Sequence, residues 1–197
     1  HNVAVGYESL KTEDAHGHNT AVGSQALKTL NAGADGKNTA VGAFAGKLMT
    51  EGVQNTLIGG LAGDALTHAD FNTVVGYQAL SADTFGHRST AIGYSALNAQ
   101  NFASSTNSNN TAVGYHSGLS VSTGIRNTII GSEAGDALSD ADDNVAIGAL
   151  ALSGDRKGNK STAIGRGALK VQDFESSTDS NNTAVGYSAG ESVTTGQ

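Results

Sequence analysis

The side chains able to do chemistry in this chain fall in its loops. His16-Gly17-His18 sets two imidazoles one residue apart. Three copies around an axis would offer six ring nitrogens to a metal, but the pair does not recur and has no identifiable outer partner, so a polar turn is expected. Asp136, Asp140, Asp142 and Asp143 gather four carboxylates, the oxygen-rich kind of set that calcium takes. The matching loop one unit earlier reads Asp64, His68 and Asp70, and neither EF-hand nor glycine-rich nonapeptide spacing is present. A solvated turn is expected there, with no metal and no cofactor. Two longer loops each carry one aromatic among hydroxyl groups: Phe102 with Ser104, Ser105 and Thr106, and Phe174 with Ser176, Ser177 and Thr178. An exposed ring beside hydroxyls suits a sugar face, making these the candidate receptor-binding residues; the alternative is that each Phe folds back to cap its loop. No Ser, His and carboxylate set stands out as a catalytic constellation, and Gly59-Gly60 follows the repeat, not a phosphate loop. An enzyme is not expected.

Composition narrows the remaining classes. Of 197 residues 27 are Gly, none is Pro, Cys or Trp, and only 15% are charged, against about a quarter in ordinary soluble domains. Absence of cysteine excludes a disulfide framework and thiolate metal sites. A net charge of −7 with scattered Lys and Arg argues against nucleic acid or an anionic membrane surface as partner. No apolar run, Ala149 to Leu152 included, approaches a membrane span.

The elements that position these loops come from a repeat. A five-residue motif, polar-Thr-small-Val/Ile-Gly, starts at Asn2, Asn19, Asn38, Asn55, Asn72, Ser89, Asn110, Asn127, Asn144, Ser161 and Asn182. It closes on Gly6, Gly23, Gly42, Gly59, Gly76, Gly93, Gly114, Gly131, Gly148, Gly165 and Gly186. Spacings of 17, 17, 17 and 21 add to a 72-residue unit: Asn38, Asn110 and Asn182 are 72 apart, and Ala62-Gly63-Asp64-Ala65-Leu66 returns as Ala134-Gly135-Asp136-Ala137-Leu138. All five tyrosines directly follow a motif glycine.

Each motif alternates with period two, as a strand does, and its glycine marks a sharp turn or close chain approach. The following Tyr-x-Ala-Leu block reads as a second short strand. Eleven rungs too short to bury their own faces imply one all-β domain over 1–197, a parallel β-solenoid or β-roll. At ~4.8 Å per rung the rod would be roughly 50 Å long, with the motif asparagines forming a side-chain ladder. The apolar content per rung is small, so a second face is expected to be buried between chains. The motif alanines (Ala40, Ala112, Ala184) are read as that outer face, and the assembly as a cyclic homotrimer. The threonine row from Thr20 to Thr183 also raises ice binding; Val3 and Val145 interrupt it and point to half-buried positions.

Asn72-Thr73-Val74-Val75-Gly76-Tyr77-Gln78-Ala79-Leu80 resembles the head repeats of trimeric autotransporter adhesins and the repeats of phage tail fibres. The resemblance runs the length of the chain, although these rungs are longer and carry the repeated Tyr. It implies an extracellular trimeric fibre or head on a cell surface or virion, structural and adhesive in role, with a cell-surface glycan or receptor as partner and no membrane insertion by this segment. Residue 1 opens inside a repeat, so the chain is expected to be an excerpt of a longer fibre. A self-assembling structural filament is the alternative.

Overall fold

The computed structural model describes residues 1–14 and 17–196. Among these the backbone forms, in chain order, β1 (Val3–Val5), β2 (Thr20–Val22), β3 (Thr39–Val41), β4 (Thr56–Ile58), β5 (Thr73–Val75), β6 (Gly86–His87), β7 (Thr90–Ile92) and β8 (Thr106–Asn107). There follow β9 (Thr111–Val113), β10 (Thr128–Ile130), β11 (Val145–Ile147), β12 (Gly158–Asn159), β13 (Thr162–Ile164), β14 (Thr178–Asp179) and β15 (Thr183–Val185). Eleven of them, one per motif, make a single parallel sheet in the order β1-β2-β3-β4-β5-β7-β9-β10-β11-β13-β15. Every pairing is in register, Leu57 opposite Val74 and Ala91 opposite Ala112, for example. The chain is therefore a β-solenoid. Two-residue pairs β6–β8 and β12–β14 form where the 21-residue rungs add chain.

The motif glycine turns the corner. At all eleven positions its φ lies between +124° and +141°. At each of the ten with a rung above, an added Cβ would come closer than 3.0 Å to the next rung's motif glycine. Only glycine tolerates both conditions.

The Tyr-x-Ala-Leu block is not a strand. Its second and fourth residues are left-handed, as at Gln78 (φ 55°) and Leu80 (φ 50°). That coils the backbone and sends Ala79 and Leu80, adjacent in sequence, both into the core, which strand alternation forbids. Rung-to-rung hydrogen bonds persist through the coil, Gln78 N–H to the Gly60 carbonyl at 3.1 Å and Leu80 N–H to that of Ala96 at 2.9 Å.

The alanine face is corrected as well. Ala21, Ala40, Ala91, Ala112, Ala146 and Ala163 have no exposed surface and line the inside of the roll. It is the motif Thr and Val/Ile that point outward, half exposed. The interior is narrow, so small residues fit where leucines face them: Leu27, Leu80, Leu97, Leu152 and Leu169 fill the ninth rung position. Where the strand residue is large the relation inverts. Leu57 lies between Gly46 and Gly63, and Ile129 between Gly118 and Gly135; a Cβ at Gly46 would meet Leu57 Cδ1 at 2.7 Å and Leu27 Cδ2 at 2.8 Å. With these leucines a single chain encloses a core of its own.

The asparagine ladder is present and buried. Asn38, Asn55 and Asn72 each accept, through Oδ1, the backbone N–H of the next rung's first motif residue, at 2.9, 2.9 and 2.8 Å. Their Nδ2 groups donate to the carbonyls of Gly52, Ala69 and Gly86. Each side chain thus satisfies backbone groups that the turn would otherwise leave unpaired.

Candidate attachment surface

The two long loops are ridges, but not aromatic ones. Phe102 and Phe174 are 5% and 6% exposed; they fold back and cap the longer rungs, which removes the ring from any sugar-binding role. Ser104, Ser105, Ser176 and Ser177 are exposed on the crests. Thr106 and Thr178 turn inward locally, each Oγ1 donating to the carbonyl two residues back, of Ser104 and Ser176, at 2.9 Å.

Beneath each ridge lies a buried polar network. Asp83 Oδ1 accepts the Gly86 N–H at 3.1 Å and the Phe102 N–H at 3.3 Å, and its Oδ2 accepts Gln100 Nε2 at 2.6 Å. Gln100 Nε2 also donates to Ser89 Oγ, which pairs with Ser108 Oγ at 2.6 Å. Asp155, Gln172, Ser161 and Ser180 repeat the arrangement. Among the described residues no cation pairs with Asp83, and burial pushes its carboxyl above the usual range. Its sequence signal was the pair of motifs opening on Ser89 and Ser161: a serine leaves the space into which Gln100 and Gln172 reach.

One constellation passed over in the sequence has the outline of a catalytic triad. His87 Nε2 lies 2.8 Å from Ser105 Oγ, and His87 Nδ1 lies 3.6 Å from Asp70 Oδ2. The closer partner of Nδ1, however, is the Asp70 backbone N–H at 2.9 Å, which donates to it. Nδ1 is therefore the bare nitrogen, and the proton is on Nε2, directed at the serine. That is the wrong tautomer for a general base. The second unit explains the geometry. Asn159 stands where His87 does, its Oδ1 accepting Asp142 N–H at 2.9 Å and its Nδ2 donating to Ser177 Oγ at 3.1 Å. His87 acts as an asparagine would, as a rung-to-rung bridge.

The other sequence candidates resolve individually. His16 lies outside the described residues; His18 Nδ1 is 3.1 Å from Asp35 Oδ2. Among the described residues no group of three or more His, Asp or Glu side chains could hold a metal. The four aspartates disperse: Asp142 accepts the Ile125 N–H at 2.8 Å, Asp143 chelates Arg126 at 2.6 and 2.8 Å, and Asp140 accepts Ser139 Oγ at 3.0 Å. Asp136 sits apart in the rung, its carboxyl raised by burial.

The sheet face is exposed as well. Val41, Ile58 and Ile130 are 37–40% exposed in the Val/Ile row. Beside it the motif threonine hydroxyls, Thr20 to Thr183, make no hydrogen bond with any described residue. Past the corner Tyr77, Tyr94 and Tyr115 stack at 5.8 and 5.6 Å, with His116 3.8 Å from Tyr115. No helix among the described residues is long and apolar enough to cross a membrane. Comparison with protein-family models, with curated proteins and with solved structures finds no match to this chain.

Proposed function

We propose that this β-solenoid is a non-enzymatic segment of an extracellular homotrimeric fibre, as its resemblance to adhesin-head and tail-fibre repeats implies, giving stiffness along its axis and contacts for attachment on its outer loops. The observation that carries the reading is the sheet face: an unbroken outward row of Val and Ile with a parallel row of unpartnered threonine hydroxyls. Soluble single chains rarely leave so regular an apolar stripe uncovered. Three copies packed on that face would bury it in a cyclic assembly, with the hydroxyls able to bond across. The serine ridges then stay on the outside, where a cell-surface receptor or glycan would meet them.

Light scattering on the purified segment tests the assembly: a mass of three chains is expected, and a monomer at all concentrations overturns it. One second reading has support in the same face. In-register hydroxyls on a sheet this regular also suit ordered water, and an ice-binding monomer would show thermal hysteresis and no self-association.

A further inference from the structure

The two 72-residue units differ at several charged loop positions, and one of these differences leaves a cation without its partners. In the second unit the last rung position reads Arg126, Asp143, Lys160, and each charge is answered. Arg126 chelates Asp143, and Lys160 Nζ lies 2.5 Å from Asp179 Oδ2. The same positions of the first unit are Gln54, Phe71 and Arg88, with Asn107 in place of Asp179. Both carboxylates that would neutralise Arg88 are gone. Of the four arginines, Arg126 and Arg156 hold carboxylates and Arg166 bonds the Tyr187 hydroxyl at 3.3 Å. Arg88 alone makes no ion pair or side-chain hydrogen bond with any described residue. Its guanidinium lies 5.7 Å from the centre of the Phe71 ring, and Phe71 is 46% exposed.

Aromatic residues replace charge nearby too. Asp140 and Lys157 of the second unit correspond to His68 and Phe85, which stack at 5.4 Å. Phe85 and Arg88 are three residues apart, within ~10 Å of chain. The first ridge borders the patch, since Ser105 bonds His87 and Asn107 pairs with His87 across β6–β8. Two carboxylates are close. Asp70 is engaged by the Val53 N–H at 2.8 Å and lies against His87, and Glu51 is 3.8 Å from His68.

We infer that Phe71 and Arg88, flanked by the His68–Phe85 stack, form a binding site for a carboxylate-bearing saccharide, the guanidinium taking the carboxylate and the ring the apolar face of the sugar. This rests on the attachment reading and gives it a location and a ligand class. A saccharide is favoured over an acidic peptide because the patch sets one cation beside exposed rings, and a ring next to the carboxylate's partner suits the apolar face of a pyranose.

The test restores the second unit's chemistry. Phe71→Asp with Asn107→Asp gives Arg88 the two carboxylates that Asp143 and Asp179 supply 72 residues on, at positions already shown to accept them. Polygalacturonate and sialyllactose are the probes, with methyl-esterified polygalacturonate, lactose and polyglutamate as controls. Binding of an acidic saccharide, at least tenfold weaker for the neutral controls and for the double variant, is expected. No binding to either acidic probe, unchanged binding by the variant, or equal binding to polyglutamate overturns the site. The oligomeric mass, measured on the same samples, reports separately on the fibre reading.

Discussion

At the residue scale the structure depends on side chains that answer backbone. Replacing Gly76 by Ala forces a Cβ onto Gly93 of the next rung at a φ of +139°; a loss of about 3 kcal/mol or more is expected in urea unfolding. Asn55→Ala strips the Asn72 N–H and the Ala69 carbonyl of buried partners, at about 1–3 kcal/mol for each group left unsatisfied. The carboxylates divide by environment. Glu8, between Lys11 and Lys28, falls to about 2, and Asp143, Asp173 and Asp179 are lowered by Arg126, Arg156 and Lys160. Their contribution is present above the ordinary carboxylate range and is lost on acidification through the lowered values. Asp83 runs the other way. Because burial raises it, the folded chain holds a proton that the unfolded chain gives up, so its contribution grows as pH falls towards about 4 and is lost as pH rises through the raised value. The stability of the wild type relative to Asp83→Asn should therefore rise between about pH 7 and about pH 4. A difference independent of pH would show that Asp83 is not held in the environment described.

At the element scale the four-rung period is a packing period. Gly46 and Gly63 make room for Leu57. Leu57→Ala should cost about 2–5 kcal/mol. Gly46→Leu should recover part of that loss in the Leu57→Ala background while being destabilising alone, because the backbone there, φ 58°, is the one Leu27 and Leu80 adopt. A double-mutant cycle by chemical denaturation reads the coupling, about 1 kcal/mol or more in the favourable sense; additivity would mean that the two positions do not share space. This also shows what the sequence could and could not reveal. Rung number, strand positions, the glycine corner and the asparagine ladder were legible because they recur. Which strand face looks inward was not. Period-two patterning states that Thr20 shares a face with Val22 and opposes Ala21, and hydrophobicity does not order those faces when both are apolar. The answer lay in the Leu/Gly exchange nine positions into the rung, a complementarity of volume instead of polarity. The coil after the corner was hidden for another reason: leucine at positive φ runs against its intrinsic preference, and only the stacked neighbours impose it. Of the candidate site, the Ser crests were legible and the burial of Phe102 and Phe174 was offered as one of two outcomes. The Arg88 patch was not found, because it appears only when the two units are compared position by position.

At the scale of the whole molecule the inward turn of the alanines changes where partner chains would meet. A bulky residue at Ala112 now tests the core and should unfold the chain, whatever its assembly. The face to test is Val113, with Ile92 beside it in the same row. Both side chains stand outside the roll, half exposed, and the pairing of β7 with β9 depends on backbone groups that their replacement leaves in place. Ile92→Lys with Val113→Lys adds two ammonium groups on adjacent rungs to the outer face of one chain, but in the proposed trimer it would bring six into an apolar seam, where unpaired charge is strongly disfavoured. The expected result is a folded monomer: the mass drops from three chains to one in light scattering, with the unfolding transition retained at a lower midpoint because oligomer linkage is lost. A variant that keeps the trimeric mass would move the interface to another face, such as the stacked tyrosine column at Tyr77, Tyr94 and Tyr115. A variant that unfolds outright at every concentration would show that the single-chain core of alanine and leucine does not suffice alone, and that the trimer is a condition of folding.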